Sequence, residues 1–96
     1  MTDSEDPDLS NLVADLHAEL EATAERPVEA RASQWLGEAE AVAGDAVGQD
    51  VPDAVVEKRV GQVRMLLSNV EETGDETADE HVASARELVE EIEAHL

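Results

Sequence analysis

Apolar residues return along most of this chain at alternating intervals of three and four. One stretch carries Val28, Ala32, Trp35, Ala39, Val42 and Ala46, the next Val56, Val60, Val63, Leu67 and Val70, and the last Ala78, Val82, Ala85, Val89, Ile92 and Leu96. The mean repeat, about 3.5 residues, is that of helices packing at small crossing angles with knobs in holes. Ahead of these, residues 7–24 place Leu9, Leu12, Val13, Leu16 and Leu20 on one helical face. No segment shows the period of two that a half-buried strand requires, and this outweighs the abundance of Val, which favours strands. Connections of about three to six residues turn successive helices back on one another. The expected fold class is all-α, an antiparallel up-down four-helix bundle, with pairing into a dimer open to it.

Local signals set the expected boundaries. Asp6 suits an N-cap before Pro7, Pro27 opens the second helix, Gly48 closes it, and the third begins near Asp50 and Pro52. In "EETGDETADEH", Gly74 suits the left-handed position after a helix, and Thr77 with Glu80 suits a capping box opening the fourth. The chain reads as one domain over 1–96, with 1–6 a frayed acidic tail. Trp35, the only aromatic, sits on the second apolar line and is expected to be buried.

Charge decides the solvent. Asp and Glu number 25 against six Lys and Arg, a formal net charge of −19, yet 42% of residues are hydrophobic and periodic, which argues against disorder. Through "ASQWLGEAEAV", "VRMLLSNVE" and "ADEHVASARELV" the chain resembles small, acidic, all-helical proteins of unknown function from extremely halophilic archaea. The resemblance implies a carboxylate-covered surface hydrated in molar salt, and carries no activity with it. The polar, acidic opening "MTDSEDPDLS" is unlike a secretory signal, and no apolar run approaches the ~20 residues of a membrane span. A cytoplasmic protein without a membrane partner is expected.

Chemistry-bearing motifs are sparse. There is no cysteine. "EETGDETADEH" lacks the alternating ligands of a calcium loop, and turn and capping chemistry accounts for it. A di-iron bundle needs Glu three residues before His, but Ala14, Ala78 and Ile92 stand there before His17, His81 and His95. His95 and Glu91, like His17 and Glu21, read as exposed contacts one turn apart. Phosphate loops and nucleophile elbows are missing, so no catalytic residue, cofactor or metal ligand is assigned and no enzyme is expected. Lys58, Arg59 and Arg64 lack both an aromatic platform and a basic field, so nucleic acid is not an expected partner. Arg59 falls inside the apolar arc, where it should lay its stem along the core edge and meet a carboxylate.

"KRVGQVRMLLSNV", residues 58–70, contains no acid at all. Its outward side carries Lys58, Gly61, Gln62, Met65, Ser68 and Asn69; opposite the Trp35 line lie Ala30, Ser33, Gly37, Ala41 and Gly44. Gly costs about 1 kcal/mol against Ala within a helix, so Gly37 and Gly61 need a packing reason. These neutral faces point to a self-associating interaction module, a homodimer or a contact for another protein, through Ala30, Ser33, Gly37, Ala41, Lys58, Gln62, Met65 and Asn69. The alternative is a metal- or ligand-responsive regulator built on His81 and nearby carboxylates.

Overall fold

The computed structural model describes residues 7–48 and 50–96. Four helices follow in order, α1 (Pro7–Thr23), α2 (Ala30–Gly44), α3 (Asp53–Leu67) and α4 (Glu76–His95), with no strand among the described residues. The proposed cap at Asp6 and the frayed tail lie outside the described residues. Among the described residues backbones approach closely between α1 and α4, α2 and α3, α1 and α2, and α3 and α4, but not between α1 and α3 or α2 and α4. The body measures 45 × 19 × 19 Å. Nineteen ångströms is about two helix diameters, so the helices stand two by two around one core.

That core is the set of three-and-four lines. Val56, Val60, Val63, Leu67 and Val70 are all buried, as are Ala78, Val82, Ala85, Val89 and Ile92, and Leu9, Val13, Leu16 and Leu20 from α1. Leu96, at the end of the last line, is exposed. On α2 the expected line holds at Ala32, Ala39 and at Ala46 beyond the helix end, all buried, but slips by one residue from Trp35 to Leu36 and from Val42 to Ala43. Ala32, Leu36, Ala39 and Ala43 are buried, while Trp35 and Val42 are half-buried and pack against the core from its edge. The seam takes Leu36 among Ala32, Ala39 and Ala43, and the larger indole of the tryptophan expected at the centre covers its border instead.

Two boundaries differ from expectation because tertiary contacts override local signals. Residues 27–29 are not helical. The Glu29 N–H donates to the Thr73 carbonyl in the α3–α4 connection at 2.7 Å, and Glu29 adopts φ −59°, ψ 148°, so helix begins only at Ala30. At α4 the cap is Asp75 rather than Thr77, its carboxylate accepting from the Ala78 N–H at 2.9 Å. Gly74 does take a left-handed φ of +85°, but in the connection before α4, since α3 has already ended at Leu67. Gly48 likewise takes φ +137° beyond the end of α2 at Gly44.

Candidate functional site

The outer side of α3 carries a second line with the rhythm of the core. Val55, Lys58, Gln62 and Met65, then Asn69 just past the helix end, recur at 3-4-3-4 spacing, and all five are exposed. Met65 is 68% exposed.

Helix-end chemistry accounts for part of the acid-free stretch around this line. The last carbonyls of a helix need donors, and its C-terminal dipole disfavours acids. The Ser68 hydroxyl and the Asn69 amide donate to the Met65 carbonyl at 2.6 and 3.1 Å. Arg86 on α4 donates to the Leu67 carbonyl at 2.9 Å and to that of Val70. Arg64, in the last turn, pairs with Glu93 at 2.9 Å. What helix-end chemistry leaves unexplained is the earlier run, Lys58, Gly61 and Gln62, and the side chain of Met65.

Ala30, Ser33, Gly37 and Ala41 are also exposed, and Ser33 and Gly37 lie towards the end of α1. They line a crevice with Thr23, Ala24 and Val28, and Gly44 sits beside His17, so this row borders α1. Of the two neutral faces read from the sequence, the one on α3 thus lies along its outer line, while Ser33 and Gly37 of the α2 strip border α1. A Cβ added to Gly37 or Gly61 would meet nothing within 4 Å. Neither glycine is demanded by packing among the described residues. Arg59 meets the amide oxygen of Gln62 at 3.1 Å rather than the expected carboxylate, and its Nε is buried without a partner.

Two histidines bridge helices. His81 on α4 places Nδ1 2.7 Å from Glu19 on α1, a full hydrogen bond. His17 on α1 stands 3.9 Å from Glu21, one turn on, and 4.0 Å from Glu40 on α2. One ligand atom from each of these three lies within 4.8 Å of the other two, the one such group among the described residues, and His81 is not in it. Among the described residues the carboxylate paired with His81 is Glu19, whereas His17, read from sequence as an exposed local contact, gains a carboxylate from the next helix. Only the fold brings Glu40 there; no spacing in the sequence announces it.

At one end of the bundle a polar knot ties the two connections together. Arg26 forks onto Asp75, Nε to Oδ2 at 2.9 Å and Nη2 to Oδ1 at 3.2 Å. Buried Thr73 donates its N–H to Asp79 at 2.9 Å, and its hydroxyl accepts from the Asp75 N–H at 3.1 Å. The Arg26 guanidinium and then the Ala78 N–H hold the Asp75 carboxyl below the ordinary aspartate range, and Asp75 raises Arg26 in turn. A depressed carboxyl stabilises the fold above its unfolded value, about 3.9, and loses that contribution as pH falls through the folded value. Asp75→Asn should therefore be less stable than the wild type at neutral pH, with the gap closing in acid below about pH 4. Thermal melts of both proteins across that range check it, and a gap that stays constant would contradict the assignment.

These features define a small helical bundle with an exposed outer line on α3 and two histidines set between its helices. The chain belongs to the family of the domain of unknown function DUF8152, which matches residues 12–96. No curated protein and no solved structure matches it. No helix among the described residues is long and apolar enough to cross a membrane.

Proposed function

We propose that this chain is a non-catalytic interaction module, an up-down bundle that pairs with a second copy of itself through the outer line of α3. The up-down order is supported by contacts whose numbers run in opposite directions. Arg64 meets Glu93 while Arg86 reaches back to Leu67 and Val70. His17 lies beside Glu40 and Gly44, while Thr23 shares a crevice with Ser33 and Gly37.

The observation that carries self-association is the exposed line Val55, Lys58, Gln62, Met65, Asn69 on a chain of net charge −19. A surface adapted only to solvent would carry carboxylates there, as the outer side of α4 does at Glu80, Glu87, Glu90 and Glu91. A two-fold axis beside α3 makes the contact isologous, each copy giving and receiving the same residues. If two antiparallel α3 helices set Gln62 opposite Met65, the same register sets Lys58 opposite Asn69, within one helical turn of Glu71 and Glu72 of the second copy. The chain's single lysine then meets acids across the interface, which fixes register. The α2 strip takes no part, since it borders α1.

Light scattering in molar KCl tests this. The wild type should have the mass of a dimer at high micromolar concentration, and Met65→Glu that of a monomer, because the new carboxylate would be desolvated against its symmetry mate. Gly37→Glu should keep the dimer mass. A monomeric wild type, or a Met65→Glu protein that keeps the dimer mass, would overturn the proposal.

A further inference from the structure

We infer that His17, Glu21 and Glu40 form a binding site for a borderline divalent metal ion of the Zn²⁺ type, held between α1 and α2. Three observations carry it. First, the ligand set joins two helices: His17 and Glu21 lie one turn apart on α1, and Glu40 comes from α2, with ligand atoms within 4.8 Å of one another. Second, the three groups face one another without completing a hydrogen bond. His17 Nδ1 stands 3.9 Å from Glu21 and its Nε2 4.0 Å from Glu40, one carboxylate at each ring nitrogen, whereas His81 and Glu19 close to 2.7 Å. Neither Glu21 nor Glu40 pairs with a Lys or Arg among the described residues, so two carboxylates converge on an imidazole with no fixed cation to balance them. Third, α2 leaves room for the ring. A Cβ at Gly44 would lie 3.3 Å from His17 Nε2 and 3.5 Å from Cδ2, so glycine is the residue that lets the imidazole seat there without displacement.

The donor chemistry selects the ion. One imidazole nitrogen and two carboxylate oxygens suit Zn²⁺, which binds both donor types at about 2.0–2.2 Å, whereas Ca²⁺ and Mg²⁺ take all-oxygen sets. A tetrahedral ion with such bonds needs its ligands about 3.3 Å apart, from the same bond lengths. Reaching that from the present spread requires both carboxylates to turn onto one ring nitrogen, since Glu21 now stands beside Nδ1 and Glu40 beside Nε2. His17 and Glu40 are 26% and 30% exposed and Glu21 58%, so water would complete the coordination from the side of Glu21. The site is independent of the α3 contact, because it lies on the α1–α2 side of the bundle.

Calorimetric titration of Zn²⁺ into the full chain in molar KCl, where diffuse attraction to the surface carboxylates is screened, gives the test. Expected are saturation at one ion per chain and a shift of the His17 ring resonances with those of His81 unmoved. Glu40→Gln, which keeps the shape of a half-exposed side chain, should weaken binding by roughly ten- to a hundredfold, the range seen when groups supporting a metal are removed. Glu19→Gln should leave it unchanged. The same titration on Met65→Glu separates this site from self-association, since one-ion saturation should persist whatever the mass of that protein. Binding that never saturates, several equivalents held identically by wild type and Glu40→Gln, or no shift at His17 would overturn the site and leave an unselective cation atmosphere only.

Discussion

Leu20→Ala is expected to destabilise the protein by about 2–5 kcal/mol, whereas Trp35→Ala, which removes a far larger side chain, is expected to cost only about 1–2 kcal/mol. Leu20 is fully enclosed, so its truncation leaves a cavity that neighbouring helices cannot fill without moving together. Trp35 lies at the border between the core and solvent, and its removal opens a notch that water can enter. For a domain whose total stability is on the order of 5–15 kcal/mol, the first change is a large fraction of the whole. Urea unfolding in molar KCl, followed by helical circular dichroism, measures both. A larger loss for Trp35→Ala would mean that the indole, and not the leucine line of α1, organises the core. Tryptophan emission should agree, lying between buried and water-like positions and open to partial quenching.

Lowering KCl from molar to about 0.1 M should have a comparable effect without touching a single contact. Of the chain's 25 carboxylates, 22 belong to the described residues of a body only 19 Å across, so those on different helices lie within about one or two Debye lengths at 0.1 M, near 10 Å, and well beyond one at 1 M, near 3 Å. Repulsion then opposes compaction throughout the bundle. The few cations are already committed locally: Arg26 to Asp75, Arg64 to Glu93 and Arg86 to the end of α3. The expected result is a marked fall in the melting temperature as salt is withdrawn. Melting curves that coincide at both salt levels would remove the basis for a molar-salt solvent.

Much of the fold was legible because a bundle is written in local periodicity. The lines on α3 and α4 could be read residue by residue, since every position on the three-and-four rhythm from Val56 to Val70 and from Ala78 to Ile92 is buried. On α2 the rhythm held only at its alanines. Trp35 and Leu36 are adjacent and both apolar, and only the width of the seam decides that leucine goes in and the indole stays at the edge. The starts of α2 and α4 were misplaced for a related reason, because Thr73 and Asp75 answer to Arg26 and Glu29, almost fifty residues away in sequence, and capping rules look only at neighbours. The candidate sites divide in the same way. The outer line of α3 is local and could be seen in the sequence as an absence of acids, although Ser68 and Asn69 owe their neutrality to the Met65 carbonyl. The separation of the α2 strip from it, and the meeting of His17 with Glu40, depend on which helix stands beside which.

The chain contains two methionines, Met1 and Met65, which makes the proposed contact directly observable. Protein carrying ¹³C in its methionine methyl groups, mixed with an equal amount of unlabelled protein in molar KCl, reports through isotope-filtered NOE spectra only those protons of a second copy that lie against the labelled methyl. Pairing through α3 gives intermolecular cross-peaks from the Met65 methyl to the side chain of Gln62 in the unlabelled copy, and a Met65 shift that moves as the protein is diluted. A Met65 methyl whose shift is independent of concentration, with no intermolecular cross-peak at any concentration, would contradict self-association through this face.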